Sequence, residues 1–320
     1  MDAAEPSAGP GDAAGVEGTA PAAPDGASGL ARAEGVGAAG LAPATPVPLV
    51  PLATDARALD RRFTWAAPGL WAMLAIHGGA LLALHPAARP TPALLALAAG
   101  LFVARAFCVS AGYHRYFSHR AYKTSRPVQL LLAFVGGMAV LRGPLWWAAH
   151  HRQHHARSDQ EGDPHSPRRG LLWAHLTWFM ARGNQPTRRE LIKDFARYPE
   201  LRFLDRHEWV PVLALIALCL AVGGFPGWVW GANVSTVLLC HSVFSINSIS
   251  HRWGRRRYDV LDDSTNNFAV GLWAFGEGWH NNHHRWPARA RLGERWWEVD
   301  LSWYGLWVLE KLGLVWDVRR

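Results

Sequence analysis

The sequence predicts an all-α integral membrane protein with four transmembrane helices in two hairpins, and histidine clusters that close over them from the soluble side. Three observations predict it. Long apolar stretches without Asp, Glu, Lys or Arg alternate with short Gly- and Pro-rich breaks. Most arginines and lysines fall on one side of those stretches. The chain also holds 18 tryptophans, a residue favoured at membrane–water interfaces. Half of the 320 residues are hydrophobic and the formal net charge is +8. That balance suits anionic headgroups or an acidic redox partner. No nucleic-acid-binding motif accompanies it, so nucleic acid is not expected as a partner.

Residues 1–55 are mostly Ala, Gly and Pro without periodic apolar spacing, and are expected to form a disordered leader. A signal peptide is the competing reading, but a basic start followed by a compact apolar core is missing. Residues 60–320 form the functional domain. Residues 66–85 carry no charge and are long enough to span a bilayer. The turn His85–Pro92 leads to a second span, 93–113, interrupted only by Arg105. Trp209 to Ser250 is again free of charge and divides into spans at 209–222 and 228–248, broken at Gly223-Gly224-Phe225-Pro226-Gly227.

The run Val128–Leu141 has only 14 residues before Arg142 and is short for a span. If it crossed, the histidine clusters would lie on opposite sides of the membrane. Residues 128–147 are therefore read as an interfacial or partly buried segment, with Trp146 and Trp147 near the boundary. Two hairpins then place Arg120, Lys123, Arg126, Arg168, Arg169, Arg188, Arg189 and Arg255–Arg257 on the histidine side, against Arg89 alone opposite. The positive-inside rule makes that side, with both termini, cytoplasmic. Cys108, Cys219 and Cys240 fall inside apolar runs without a C-x-x-C and read as small core residues.

The histidines carry the chemistry. His114 and His119 form one cluster; His151, His154 and His155 a second; His280, His283 and His284 a third; Asn247 and His251 stand as an i, i+4 pair. The second and third clusters share H-x-x-H-H, which on a helix aims three imidazoles from one face. Imidazole binds zinc, copper, iron and nickel, and nine histidines exceed one closed tetrahedral site, so two metals are expected. The bland alternative is a set of solvated surface histidines. His77 and His241, inside the spans, read as hydrogen-bonded interior residues. Asp159, Asp163, His165 and Glu277 are candidates for orienting the metal-binding rings, because such imidazoles need partners that fix their tautomer. Arg105 is expected to be paired, snorkelling or facing a cavity.

The runs Gly112-Tyr113-His114 through His119, His151 through His155, Asp163-Pro164-His165 with Arg168-Arg169-Gly170, and Gly276-Glu277-Gly278-Trp279-His280 through His284 resemble the membrane-bound fatty acyl desaturases, most closely the stearoyl-CoA (delta-9) branch. The resemblance covers about residues 60–300. It implies four spans, a cytosolic helical cap and a di-iron (Fe2+) centre that uses O2 and two electrons to insert a cis double bond in a long acyl chain. It also implies the ligands His114, His119, His151, His155 and His283 for one iron and His154, His251, His280 and His284 for the other, with Asn247 holding a metal-bound water. The animal enzymes carry an Arg-Asp pair that helps hold the CoA headgroup; here Ala149 and His150 replace it. CoA, carrier protein or lipid thus all stand as acyl carriers.

Helical spacing back from His114 selects Ser110, Phe107, Ala106, Val103 and Phe102 to line a substrate tunnel, with Ala106 in its wall, Phe102 as a floor and Trp147 beside it. A haem-binding domain, flavin fingerprint or G-x-G-x-x-G motif is not apparent, so electrons are expected from a separate cytochrome b5-like or ferredoxin donor. Ala-, Gly- and Arg-rich usage favours a bacterial inner membrane over the endoplasmic reticulum. The rival readings are a membrane hydroxylase or alkane mono-oxygenase and a metal transporter, although transporters place ligands nearer the midplane.

Overall fold

The computed structural model describes residues 60–320; the expected leader lies outside the described residues. Proline opens several helices, where its missing N–H costs nothing. These include α1 (Pro68–Leu81), α2 (Pro92–Phe107), α3 (Arg126–Gly137) and α4 (Pro144–Arg157). The Thr91 hydroxyl caps α2 by accepting from the Leu94 N–H at 3.3 Å. α2 runs on into a π-helical stretch, Cys108–Ser118, whose residues are all buried. Short turns then lead through α5 (Lys193–Ala196) and α6 (Pro199–Arg206) to α7 (Trp209–Gly227), a π turn at Trp228–Val234 and α8 (Ser235–Ser248). The chain closes with α9 (Phe268–Trp273), α10 (His280–Arg285) and α11 (Leu301–Lys311). β1 (Lys123–Thr124) pairs antiparallel with β2 (Val315–Trp316).

Among the described residues, two helices are long and apolar enough to cross a membrane, Pro92–Ser118 and Trp209–Ser248, and a shorter apolar helix covers Pro68–Leu84. The second is not one rod. Gly224 leaves helical geometry at φ 55°, ψ −143°, a conformation open to glycine. The chain folds back there, and a Cβ on Gly231 would come within 2.8 Å of Cys219 Sγ. The break thus falls inside the predicted Gly-Gly-Phe-Pro-Gly segment. α1, α2, α7 and α8 pack together through these close approaches.

Residues 128–147 are two elements rather than one segment. α3 ends at Gly137, and a turn with Val140 at φ 61° and Arg142 at φ 70° separates it from α4. α3 buries Leu132, Ala133 and Gly136 while Leu131 stays 58% exposed. Gly136 lies beneath the Tyr113 ring, with no room for a larger residue, so α3 braces the π stretch. Arg105 is fully buried and hydrogen-bonded: it donates to Leu101 O at 2.9 Å, Met138 O at 3.2 Å, Thr236 Oγ1 at 2.5 Å and Ser235 Oγ. It ties α2 to the end of α3 and to α8. His77 and His241 contact each other through Nε2 at 3.1 Å, and His241 Nδ1 meets His175 Nε2 at 2.9 Å. This is a polar clasp between α1, α8 and the 173–177 turn.

Candidate metal centre

Backbone winding decides how the first cluster works. Positions i and i+5 diverge on an α-helix but approach each other in π winding, whose hydrogen bonds run i to i+5. The His119 N–H accordingly donates to His114 O at 3.2 Å, and the two rings stand 4.8 Å apart. α4 presents His151, His154 and His155, and α10 presents His280, His283 and His284. His251 follows α8.

The nine imidazoles gather into two groups. His114, His119, His151, His155 and His283 form one; His154, His251, His280 and His284 form the other; within each, the ligand atoms lie within 4.8 Å of one another. In the first, Nε2 contacts are 3.0 Å for His114–His283, 2.8 Å for His119–His151 and 2.9 Å for His155–His283. In the second they are 3.0 Å for His251–His280, 3.1 Å for His280–His284 and 3.4 Å for His154–His284. Ligands bound at about 2.1 Å are separated by about 3.0–3.4 Å across an octahedral or tetrahedral edge, so these spacings fit a coordination shell.

Carboxylates fix the tautomers of several of these rings. His154 Nδ1 lies 3.1 Å from Asp163, His251 Nδ1 2.7 Å from Asp159 and His284 Nδ1 2.7 Å from Asp262. A neutral ring that donates from Nδ1 has a bare lone pair at Nε2. Three of the four rings in the second group therefore turn lone pairs towards one point, a donor set that suits a cation. His114 Nδ1 lies 2.6 Å from Glu277, which also contacts Ser110 and pairs with Arg115 at 3.1 Å. Arg115 in turn binds Asp300 at 2.8 Å.

Most of the protonation shifts agree with this donor set, while at His154 burial is outweighed by the pull of Asp163, which raises the value. Burial, then repulsion from neighbouring imidazoles, pushes His119, His151, His155, His280 and His283 well below the ordinary histidine value, so they remain neutral. Burial also takes His284 down to about 4 against the pull of Asp262. Burial works against ionisation of Asp159, Asp163 and Asp262, but their histidine partners overcome it and hold all three below the usual carboxylate range. For Glu277 burial is likewise outweighed by His114 and Arg115, leaving its carboxyl at about 2.

The other expected residues are placed as follows. Asp159, Asp163 and Glu277 touch imidazoles as described, and His165 stacks on His154 with ring centroids 4.2 Å apart. Asp262 was not anticipated from the sequence. It sits in the loop between His251 and the third cluster, and the only signal for it was the acidic pair Asp262-Asp263 among basic residues. His150, although adjacent to His151, points elsewhere: it stacks on Trp146 at 4.2 Å and uses Nδ1 on Trp146 O at 2.9 Å.

Two cavities meet at the centre. The first, about 480 Å³, is lined by Ala106, Val109, Ser110, Leu239 and Phe275 and opens onto His114, His151 and His280. The second, about 560 Å³, includes Leu141, Arg142, His150 and Trp178. Trp147, His151, Val243 and Asn247 border both, so the two cavities adjoin beside the imidazoles. Trp147 stacks on His151 there, 5.0 Å between centroids. The expected floor is displaced. Phe102 lies outside the lining, packed on Trp273 at 5.8 Å and on Phe275 at 6.0 Å. Val103 is 51% exposed, and Phe107 packs against Gly305. Ala106 and Ser110, which α-helical spacing selects, do line the cavity, while π winding adds Val109 at the i−5 position from His114.

The model of the fatty acid desaturase family matches residues 88–306, more than half of the chain. The chain belongs to the fatty acid desaturase family. Among the relatives of this desaturase, the sn-1 stearoyl-lipid 9-desaturase of Anabaena variabilis is 35% identical over 249 residues, 77% of this chain and 91% of the relative. The icosanoyl-CoA 5-desaturase of Limnanthes douglasii is 37% identical over 211 residues, 65% of this chain and 59% of that longer protein. The hex-5-enoyl-[acyl-carrier protein] acetylenase of Moorena producens is 36% identical over 246 residues, 70% of this chain and 76% of its own length. Membership makes the desaturase an oxidoreductase of fatty acid metabolism.

Proposed function

We propose that this desaturase inserts a double bond into a long-chain fatty acyl substrate, at the delta-9 position, in unsaturated fatty acid biosynthesis. The observation that carries the reading is the pair of imidazole groups bordered by two adjoining cavities, the first lined largely by apolar residues. The nine histidines would hold two ferrous ions, and Asn247, which borders both cavities, a bound water. Bound there, the irons supply the O2-dependent chemistry that removes hydrogen from two adjacent methylenes. The protein's own work is positioning: Asp159, Asp163, Asp262 and Glu277 orient the rings, Trp147 and His151 wall both cavities, and an acyl chain bent between them would favour a cis product.

Ala149 and His150 stand where a charged pair would hold a CoA headgroup, and the relatives' own carriers are CoA, lipid and acyl-carrier protein. We assign CoA as the first substrate to test, then the other two. A separate cytochrome b5-like or ferredoxin protein would deliver the electrons to the basic face. In this reading residues 60–320 form one domain of four spans and a cytosolic cap in a bacterial inner membrane.

Expression in a desaturase-deficient cell, with double bonds located by mass spectrometry, tests the reaction. A monounsaturated product with the bond at carbon 9 is expected. A hydroxylated product would assign the protein to the hydroxylase class instead. Topology has its own test. Single cysteines beside Arg89 and Gly224 should react only with reagent on the far side, and those beside Arg169 and Arg256 only from the cytoplasm. Far-side labelling beside Arg169 would end the four-span reading.

A further inference from the structure

The C-terminal helix α11 has an unusual outer face. Its exposed positions Leu301, Tyr304, Trp307, Val308 and Lys311 recur at helical spacing, so a water-facing stripe would be apolar until its last member. The inner face is held fast. Gly305 receives the Phe107 ring, with no space for a Cβ between them, and Leu306 is fully buried. Asp300 caps the helix by accepting from the Trp303 N–H at 3.0 Å. α11 therefore sits directly on the end of α2, inside the long apolar helix Pro92–Ser118.

Position decides what covers the stripe. One turn before Phe107, α2 exposes Val103 and Ala104, the side of an apolar helix that would face lipid. The stripe on α11 continues that surface where the apolar helix gives way to buried histidine chemistry. Tyrosine and tryptophan with a terminal lysine form the composition that settles at a headgroup boundary, the rings at the acyl edge and the ammonium reaching water. Trp296 and Trp297, 87% and 45% exposed, precede α11 and extend the aromatic surface.

We infer that α11 is an interfacial helix whose Leu301–Tyr304–Trp307–Val308 face lies in the bilayer surface. This rests on the reading of Pro92–Ser118 as a membrane span. The same Asp300 that caps α11 pairs with Arg115, which pairs with Glu277 at His114. A lipid-seated helix is thus linked through buried ion pairs to the metal centre.

The test uses the full-length protein in phosphatidylcholine–phosphatidylglycerol nanodiscs, spin-labelled at Tyr304→Cys, Val308→Cys, Val103→Cys or Asp259→Cys. The native cysteines are buried and react poorly. Labels at 304, 308 and 103 should collide more with oxygen than with a water-soluble nickel chelate, and the fully exposed 259 label should show the reverse. Nickel access at 304 and 308 equal to that at 259, with 103 still lipid-exposed, overturns the inference and leaves the span intact. Nickel access at 103 as well would remove the span reading itself. Protection of 304 and 308 from both reagents would mean that protein, not lipid, covers the face, and also overturns it.

Discussion

Alanine at His283 is expected to strip iron from the protein and abolish desaturation. Its Nε2 touches both His114 at 3.0 Å and His155 at 2.9 Å, so its loss opens the five-imidazole group where α10 closes it. Metal analysis should show a fall from about two irons per chain to one or fewer, since an open shell of weaker donors holds the ion poorly. A graded result is expected one contact further out. Asp262→Ala leaves His284 without the group that fixes its tautomer, and losses at such positions run to about 10–100-fold in metal affinity or activity. Asp262→Asn keeps an acceptor for Nδ1 and should lose less. His77→Ala, in the clasp with His241, should retain measurable activity. Full iron and undiminished product in His283→Ala would defeat the assignment of these histidines as ligands.

The second large effect is on chain length. Ala106 and Phe275 both line the first cavity, and the Phe275 ring also meets Phe102. Ala106→Leu should fill the passage and shift products towards shorter chains. Phe275→Ala should lengthen the passage and admit longer ones. Phe102→Ala acts from behind Phe275 and should shift chain length less. Each change also carries a packing cost, about 1–3 kcal/mol for overpacking and about 3–5 kcal/mol for truncating a buried phenylalanine. Product lengths are therefore compared at matched abundance of folded protein. If Ala106→Leu and Phe275→Ala both keep the parent chain-length profile, this cavity is not the seat of the acyl tail.

Much of this was legible because some signals are local. Apolar runs and Gly/Pro breaks report the preference of each segment directly, and Gly224 adopts positive φ inside the break read from Gly223–Gly227. H-x-x-H-H on α4 and α10 was readable for the same reason, since i, i+3 and i+4 share a helical face whatever lies around it. The division of nine imidazoles into a group of five and a group of four also coincides with the one that the family resemblance implied.

Other features depend on partners far along the chain, and only the tertiary structure decided them. His114 and His119 face one point because the backbone takes π winding over Cys108–Ser118. That choice of hydrogen-bond register is stabilised by close packing, with Gly112 against Leu132 and Gly136 beneath Tyr113. The same winding brings Val109 into the cavity wall beside Ala106 and Ser110, a position that α-helical counting omits. Asp262 carried no motif, since a loop carboxylate becomes a partner of His284 only when α10 is folded against that loop. The division of 128–147 into two helices rests on left-handed turn residues, Val140 and Arg142, whose conformation L side chains rarely choose unaided. By itself, then, the sequence determined which segments are helical and apolar and which residue types bind metal, because those are properties of neighbours in the chain. Which nitrogen meets which, and where the acyl passage ends, came from contacts between residues more than a hundred positions apart, such as His114 with His283 and His154 with His284.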